Sequence, residues 1–221
     1  MKTLLLATAN PGKRSELQEL CRDVLGADSY AVKTLKDVGL GDVDVVEDAP
    51  DFIGNARKKA REIAALVRER DIPGVDVVVA DDSGLVVDAL DGHPGVRSHR
   101  FSADAGYAPP GLTVDEANNR LMLLMLAPVP AERRTARFVS FVIAQMMSND
   151  AVELHADGAV EGLIARDLLG SGGFGFDPLF IVNDGPPELR GRRLAELTSS
   201  EKHSISHRGR AMRALLAQLK P

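Results

Sequence analysis

The sequence reads as an α/β protein built on a mixed β-sheet flanked by helices, and three observations carry that expectation. Short apolar runs at 3–8, 30–35, 75–80 and 84–90 are interleaved with helix-patterned stretches at 14–25 and 52–70, the alternation that builds parallel strand units. Two long β-prone stretches, 134–147 and 151–165, are joined by Ser148-Asn149-Asp150, a turn that would add an antiparallel pair and make the sheet mixed. No internal repeat or low-complexity linker divides the 221 residues, so one domain spanning 1–221, with room for a sizeable core, is expected.

The elements follow in order. The run at 3–8 is punctuated by Asn10, Pro11 and Gly12 and reads as a buried strand. The 14–25 stretch sets Leu17, Leu20, Cys21 and Val24 at helical spacing and stops at Gly26. The longest helical pattern, 52–70, places Ile53, Ala56, Ala60, Ile63, Ala64 and Val67 on one face with basic residues opposite. Residues 102–113 are rich in Gly, Ala and Pro and read as a loop before a helix at 114–126. A glycine-rich segment at 168–178, a short strand at 179–182, a polar loop at 183–193 and a helix at 207–219, with Ser206 as its N-cap, complete the chain.

Composition excludes some partners. The net charge is −5, so no overall basic field draws the chain to nucleic acid or an anionic membrane. A polyanionic ligand must then be met by a local pocket or a metal ion. The single cysteine, Cys21, forbids an intramolecular disulfide and points to a reducing compartment. It shares a helical face with leucines and reads as core filler. The apolar run at the start is too short for a signal peptide or a membrane span, so a cytoplasmic protein is expected.

Four stretches, together with a carboxylate pair ahead of the 52–70 helix, carry chemistry. The first, Thr8-Ala9-Asn10-Pro11-Gly12-Lys13, fails the Walker A template because Ala7 stands at its first glycine and Arg14 follows the lysine. It remains a sensible anion site at a strand-to-helix junction. The second is Asp81-Asp82-Ser83-Gly84 after an apolar strand. Strand ends bind ligands in α/β sheets, but the same four residues are good turn chemistry, and the pair alone leaves both readings open. Strand alternation would turn only one of the two aspartates toward a given ligand.

Glu47 and Asp48, ahead of the 52–70 helix, could supply a metal ligand or cap that helix. Carboxylates from two separate segments are what Mg²⁺ takes from a protein when phosphates and water complete its shell. The third stretch is the glycine-rich segment, in which Phe174 or Phe176 could stack on a flat ring and Asp177 could accept hydrogen bonds from it. A hairpin with core phenylalanines is the plainer reading. The fourth brings Lys202, His207 and Arg208 close to a helix start, where cations are unfavourable for the dipole and so point to an anion or carbonyl ligand.

Taken together, LLLATANPGKRSEL, VVEDAPDFIGNARKKA, ADDSGLVVDALDGHPGVRSHRFS, SGGFGFDPLF and AELTSSEKHSISHRGRA resemble, in order and over nearly the whole chain, the inosine triphosphatase family of non-canonical purine nucleoside triphosphate pyrophosphatases. The resemblance implies an elongated α/β fold with two lobes around a central nucleotide-binding cleft, and a homodimer. It makes Thr8, Ala9, Asn10, Pro11, Gly12 and Lys13 the phosphate-binding loop, Glu47 and Asp82 the Mg²⁺ ligands, and Asp82 the general base. Ser83 would contact the substrate. Phe174, Gly175, Phe176 and Asp177 would bind the base, and Lys202, His207 and Arg208 would complete the pocket, the last two near the 6-keto group.

The sequence departs from the family pattern at Glu47-Asp48-Ala49, at Phe176 and at His99. The implied reaction is Mg²⁺-dependent hydrolysis of ITP, dITP or XTP to monophosphate and pyrophosphate. A Maf-type pyrophosphatase for modified or pyrimidine nucleotides, and a nucleotide-sensing module without catalysis, are the rival readings. The His207-Arg208 pair speaks against the first, and the retained carboxylates against the second.

Overall fold

The computed structural model describes residues 1–8, 11–27 and 29–220. Strand β1 (Lys2–Leu6) is followed by helix α1 (Pro11–Leu25) and by β2 (Tyr30–Thr34), which returns parallel to β1 with Lys2 opposite Tyr30 and Leu6 opposite Thr34. The helix begins three residues earlier than its apolar spacing suggests, because proline's preset φ suits a first helical position. Helix α2 (Phe52–Glu69) is capped by Asp51, whose carboxylate accepts the Gly54 N–H at 2.7 Å. The capping role that Glu47 or Asp48 could have filled therefore falls to Asp51.

Strand β3 (Val77–Val87) pairs parallel with β1, Leu4 lying opposite Val77. The sequence suggests two strands with Asp81 to Gly84 as turn or site between them. Instead one 11-residue strand runs straight through both aspartates, so the turn reading is corrected. Strands β4 (Thr135–Met146), β5 (Glu153–Ile164) and β6 (Phe180–Val182) complete a six-stranded sheet of order β2-β1-β3-β4-β5-β6. Since β5 and β6 are antiparallel, the sheet is mixed, as predicted.

Short helix α3 (Phe101–Asp104) lies partly in the segment read as loop, and α4 (Val114–Met125) starts on a Thr113–Glu116 capping box. Helix α5 (Ser199–Ile205), also opened by a capping box, precedes α6 (His207–Gln218). Among the described residues no helix is long and apolar enough to cross a membrane.

The chain forms two compact units, 1–82 with 140–158 and 208–221, and 83–139 with 159–207. In the first, strand alternation builds two layers of core. Leu4, Leu6, Val77 and Val79 pack with Leu17, Leu20 and Cys21 of α1 and Met212, Leu215 and Leu216 of α6. The opposite parity, Leu5 and Val78, packs on Ile63, Ala64 and Val67 of α2. Cys21 is core filler as expected, and burial pushes its thiol up to about 11.

The second unit has its own core around Leu85, Val87, Met122, Leu126, Ile164 and Phe180. There the Phe138 ring lies 4.9 Å from Phe180 and 5.2 Å from the His207 imidazole, which stacks on it at 15°. Gly162 makes this stack possible, since a Cβ there would run into the Ile181 carbonyl and the Phe180 ring. Gly162→Ala should therefore cost about 1–3 kcal/mol in urea unfolding through overpacking. The displaced Phe180 should also shift the His207 ring signals in NMR. An unchanged stability would show that the strands part without cost.

Candidate active site

Asp81 is 5% exposed and gathers three cations in the first unit. Lys13 Nζ donates to its two oxygens at 3.1 and 3.0 Å, and Arg208 Nε donates to Oδ2 at 2.9 Å. Lys59 Nζ donates to the Asp81 backbone carbonyl at 3.1 Å. Burial alone would raise this carboxyl, but the charges of Lys13, Arg208 and Lys59 together outweigh it and hold the group well below the usual carboxylate range. For Arg208, burial acts to lower the guanidinium and the Asp81 charge more than reverses it. Lys13 stands in the first turn of α1, where backbone N–H groups and dipole suit an anion. A cation there is unfavourable for the helix, and Asp81 offsets it.

Asp82 takes the opposite direction from Asp81, as strand alternation requires. Its Oδ2 accepts from Asn55 Nδ2 of α2 at 3.0 Å. The Asn55 side chain is buried, and its Oδ1 accepts the Ala49 N–H at 2.9 Å. One amide thus ties Asp82 to the segment carrying Glu47. Lys59 makes a second tie, since its ammonium pairs with the Glu47 carboxylate as well as the Asp81 carbonyl.

Among the described residues no group of three or more His, Cys, Asp or Glu is placed to hold a metal ion. Glu47, paired with Lys59, and Asp82, held by Asn55, each present hard carboxylate oxygens, the donor type Mg²⁺ takes when water and phosphate oxygens complete its shell.

In the second unit the glycine-rich segment separates its two aromatic rings. Phe174 is 64% exposed, whereas Phe176 is 3% exposed and meets Phe101 edge-on at 6.3 Å. The ring open to a ligand is therefore Phe174, and Phe176 takes the core position of the plainer reading. Lys202 Nζ lies 4.5 Å from the Phe174 ring centroid and pairs with the buried Asp177 carboxylate, which also accepts the Phe174 N–H at 2.9 Å. Lys202 projects from α5, and His207 is held flat against Phe138.

Of the expected residues, Lys13, Glu47, Asp82 and Arg208 lie in the first unit, tied to Asp81, Lys59 and Asn55, while in the second Phe174, Asp177 and Lys202 contact one another and His207 stacks on Phe138. His207 and Arg208, adjacent in sequence and both expected at the 6-keto group, face different neighbours. The imidazole sits on Phe138, but the guanidinium shares the Asp81 carboxylate with Lys13. Thr8 follows β1 and its carbonyl accepts the Leu35 N–H, Pro11 and Gly12 open α1, and Ser83 is half-buried within β3. Ala9 and Asn10 lie outside the described residues. Asn55 and Lys59 were not singled out by sequence reasoning. Their signal is their i, i+4 spacing beside the apolar stripe of α2.

Half-buried cations and a paired-aspartate strand are equipment for an anionic substrate and proton transfer, and an exposed ring beside a lysine suits a flat polar heterocycle. The chain belongs to the Ham1 family, whose sequence profile matches residues 4–218. It is 44% identical over 218 residues to the dITP/XTP pyrophosphatase of Nitratidesulfovibrio vulgaris, covering 97% of this chain and 94% of that one. It is 40% identical over 216 residues to the dITP/XTP pyrophosphatase of Exiguobacterium sibiricum, covering 98% and 96%. Among solved structures, a HAM1 protein from Coxiella burnetii superposes with a TM-score of 0.80 at 34% identity, over 99% of this chain and 98% of that one. The Ham1 protein of Staphylococcus aureus gives 0.78 at 32% identity over the same shares.

Proposed function

We propose that this chain hydrolyses non-canonical purine nucleoside triphosphates, dITP, ITP and XTP, to the monophosphate and pyrophosphate, with Mg²⁺. The observation that carries the reading is the division of labour between neighbouring aspartates: Asp81 is spent on holding Lys13 and Arg208, while Asp82 is held by the Asn55 amide. The relatives named dITP/XTP pyrophosphatase support the substrate class.

The first turn of α1 with Lys13 takes the triphosphate, and Arg208, on the same carboxylate, adds a second cation to that contact. Glu47 and Asp82 would hold Mg²⁺, which supplies a counter-charge to the phosphates and a more acidic bound water. Asp82 accepts the proton of the attacking water, and attack at the α-phosphorus releases pyrophosphate. Asn55 keeps the Asp82 carboxylate in a fixed orientation. Phe174 stacks on the base, Lys202 and His207 donate to its 6-keto oxygen, and Asp177 holds Lys202 in place. Adenine's amino group would leave those donors unpaired, a mismatch worth about 1–3 kcal/mol per group. A homodimer belongs to the same reading and is checked by light scattering.

The test is a panel of dITP, ITP, XTP, ATP, GTP and CTP with Mg²⁺, scored for pyrophosphate and orthophosphate. Pyrophosphate from the first three is the expected result. Orthophosphate would overturn the cleavage position, strong ATP turnover the selectivity, and CTP turnover would favour the Maf-type reading.

Glu47→Ala should raise the Mg²⁺ concentration for half-maximal rate about tenfold, the scale of losing one determinant of a metal site. An unchanged Mg²⁺ dependence would leave Glu47 as the partner of Lys59 alone.

A further inference from the structure

The Gly175 peptide is gripped on both sides by one helix. Its N–H donates to Asp115 Oδ2 at 2.8 Å and its carbonyl accepts from Asn119 Nδ2 at 2.8 Å. Asp115 and Asn119 are i, i+4 on α4, so both face the same peptide. The helix start carrying them is fixed by its capping box. Asn119 Nδ2 also donates to the Asp115 carbonyl at 2.9 Å, which settles which end of the amide is the donor.

This grip is not what a stable core would select. Asn119 is 4% exposed, and its Oδ1 is buried without a hydrogen-bond partner, an arrangement that costs stability. Met122, one turn on at i+3, is fully buried and shows that the same helix face otherwise takes an apolar side chain. What the grip controls is the direction of the segment around Gly175. That residue has φ +59, and the rings on either side of it go opposite ways, Phe174 outward and Phe176 into the core. With the Gly175 peptide fixed, Phe174 is held beside Lys202, and its N–H reaches Asp177.

We propose that Asp115 and Asn119 are positioning residues for base recognition: by clamping the Gly175 peptide they fix Phe174 and the Lys202–Asp177 pair at the spacing a purine ring requires. This rests on the function proposed above. Pre-ordering the ring before the base arrives removes an ordering cost from binding. The clamp therefore acts on affinity for the base and not on the phosphorus chemistry.

The experiment is a double-mutant cycle on dITP with Asn119→Leu and Phe174→Ala, repeated with Asp115→Ala in case the leucine variant does not fold. Each clamp variant should raise KM and the dITP dissociation constant about tenfold, the scale of one lost hydrogen bond in a buried setting, with kcat at saturation within about threefold of the parent. In the Phe174→Ala background the same clamp substitution should change KM less than about threefold, because the ring has gone and only its route through Lys202 remains.

Equal losses in both backgrounds, or a loss that falls on kcat, would overturn the proposal and leave the clamp a purely structural contact. Calorimetric binding of dITP is measured alongside turnover. A parent protein that binds dITP but releases no pyrophosphate would sink the proposed function, and the binding cycle would still decide the clamp.

Discussion

Asp82→Asn should lower pyrophosphate release from dITP by about 10³-fold or more, within the range contributed by a positioned general base, while dITP still binds. Asparagine keeps the size of the side chain and an oxygen able to accept from Asn55 Nδ2, so the contact at 3.0 Å can persist. What the amide cannot do is take a proton from water. Asn55→Leu provides the control for position: it leaves the Asp82 carboxylate in place but removes the donor that aims it, and strands the Ala49 N–H that Asn55 now satisfies. A smaller loss, on the order of tenfold in kcat, is expected there, the scale of one hydrogen bond. Turnover that survives Asp82→Asn undiminished would remove Asp82 as the base.

The sequence announced the chemistry more clearly than the geometry. Five ordered stretches point to the family, and apart from β3 and α5 the strands and helices that carry them fall within a few residues of expectation. The departures have specific causes. Asp81-Asp82-Ser83-Gly84 has the composition of a turn, yet β3 continues through it, because the Asp81 charge is met by Lys13, 68 residues away, and Arg208, 127 residues away. No window of sequence contains that cluster.

The same separation hides the pairing of Arg208, which the resemblance sets with His207 at the 6-keto group and whose guanidinium meets Asp81. Helix α5 was not read because SSEKHSI has no apolar stripe, although Thr198 and Glu201 already spelled its capping box. Asn55 and Lys59 were hidden in the polar flank of an amphipathic helix, where polar residues usually meet only water.

Asp81→Asn should destabilise the protein by about 3 kcal/mol, the lower end of the cost of removing one partner from a buried ion pair. The lower end is apt because the cations it leaves behind are not sealed off: the Lys13 side chain is 26% exposed and that of Arg208 17%. Urea unfolding at neutral pH measures the loss. The pH dependence gives the sign. Asp81 is held below its ordinary range in the folded protein, so it contributes stability that is fully present above the unfolded carboxylate value of about 4. That contribution erodes as the pH falls from there toward the lower folded value. The gap between parent and variant should therefore be flat between about pH 5 and 8 and shrink below about pH 4. Equal stability at neutral pH, or a gap that widens in acid, would show that Lys13 and Arg208 are held by something other than this carboxylate.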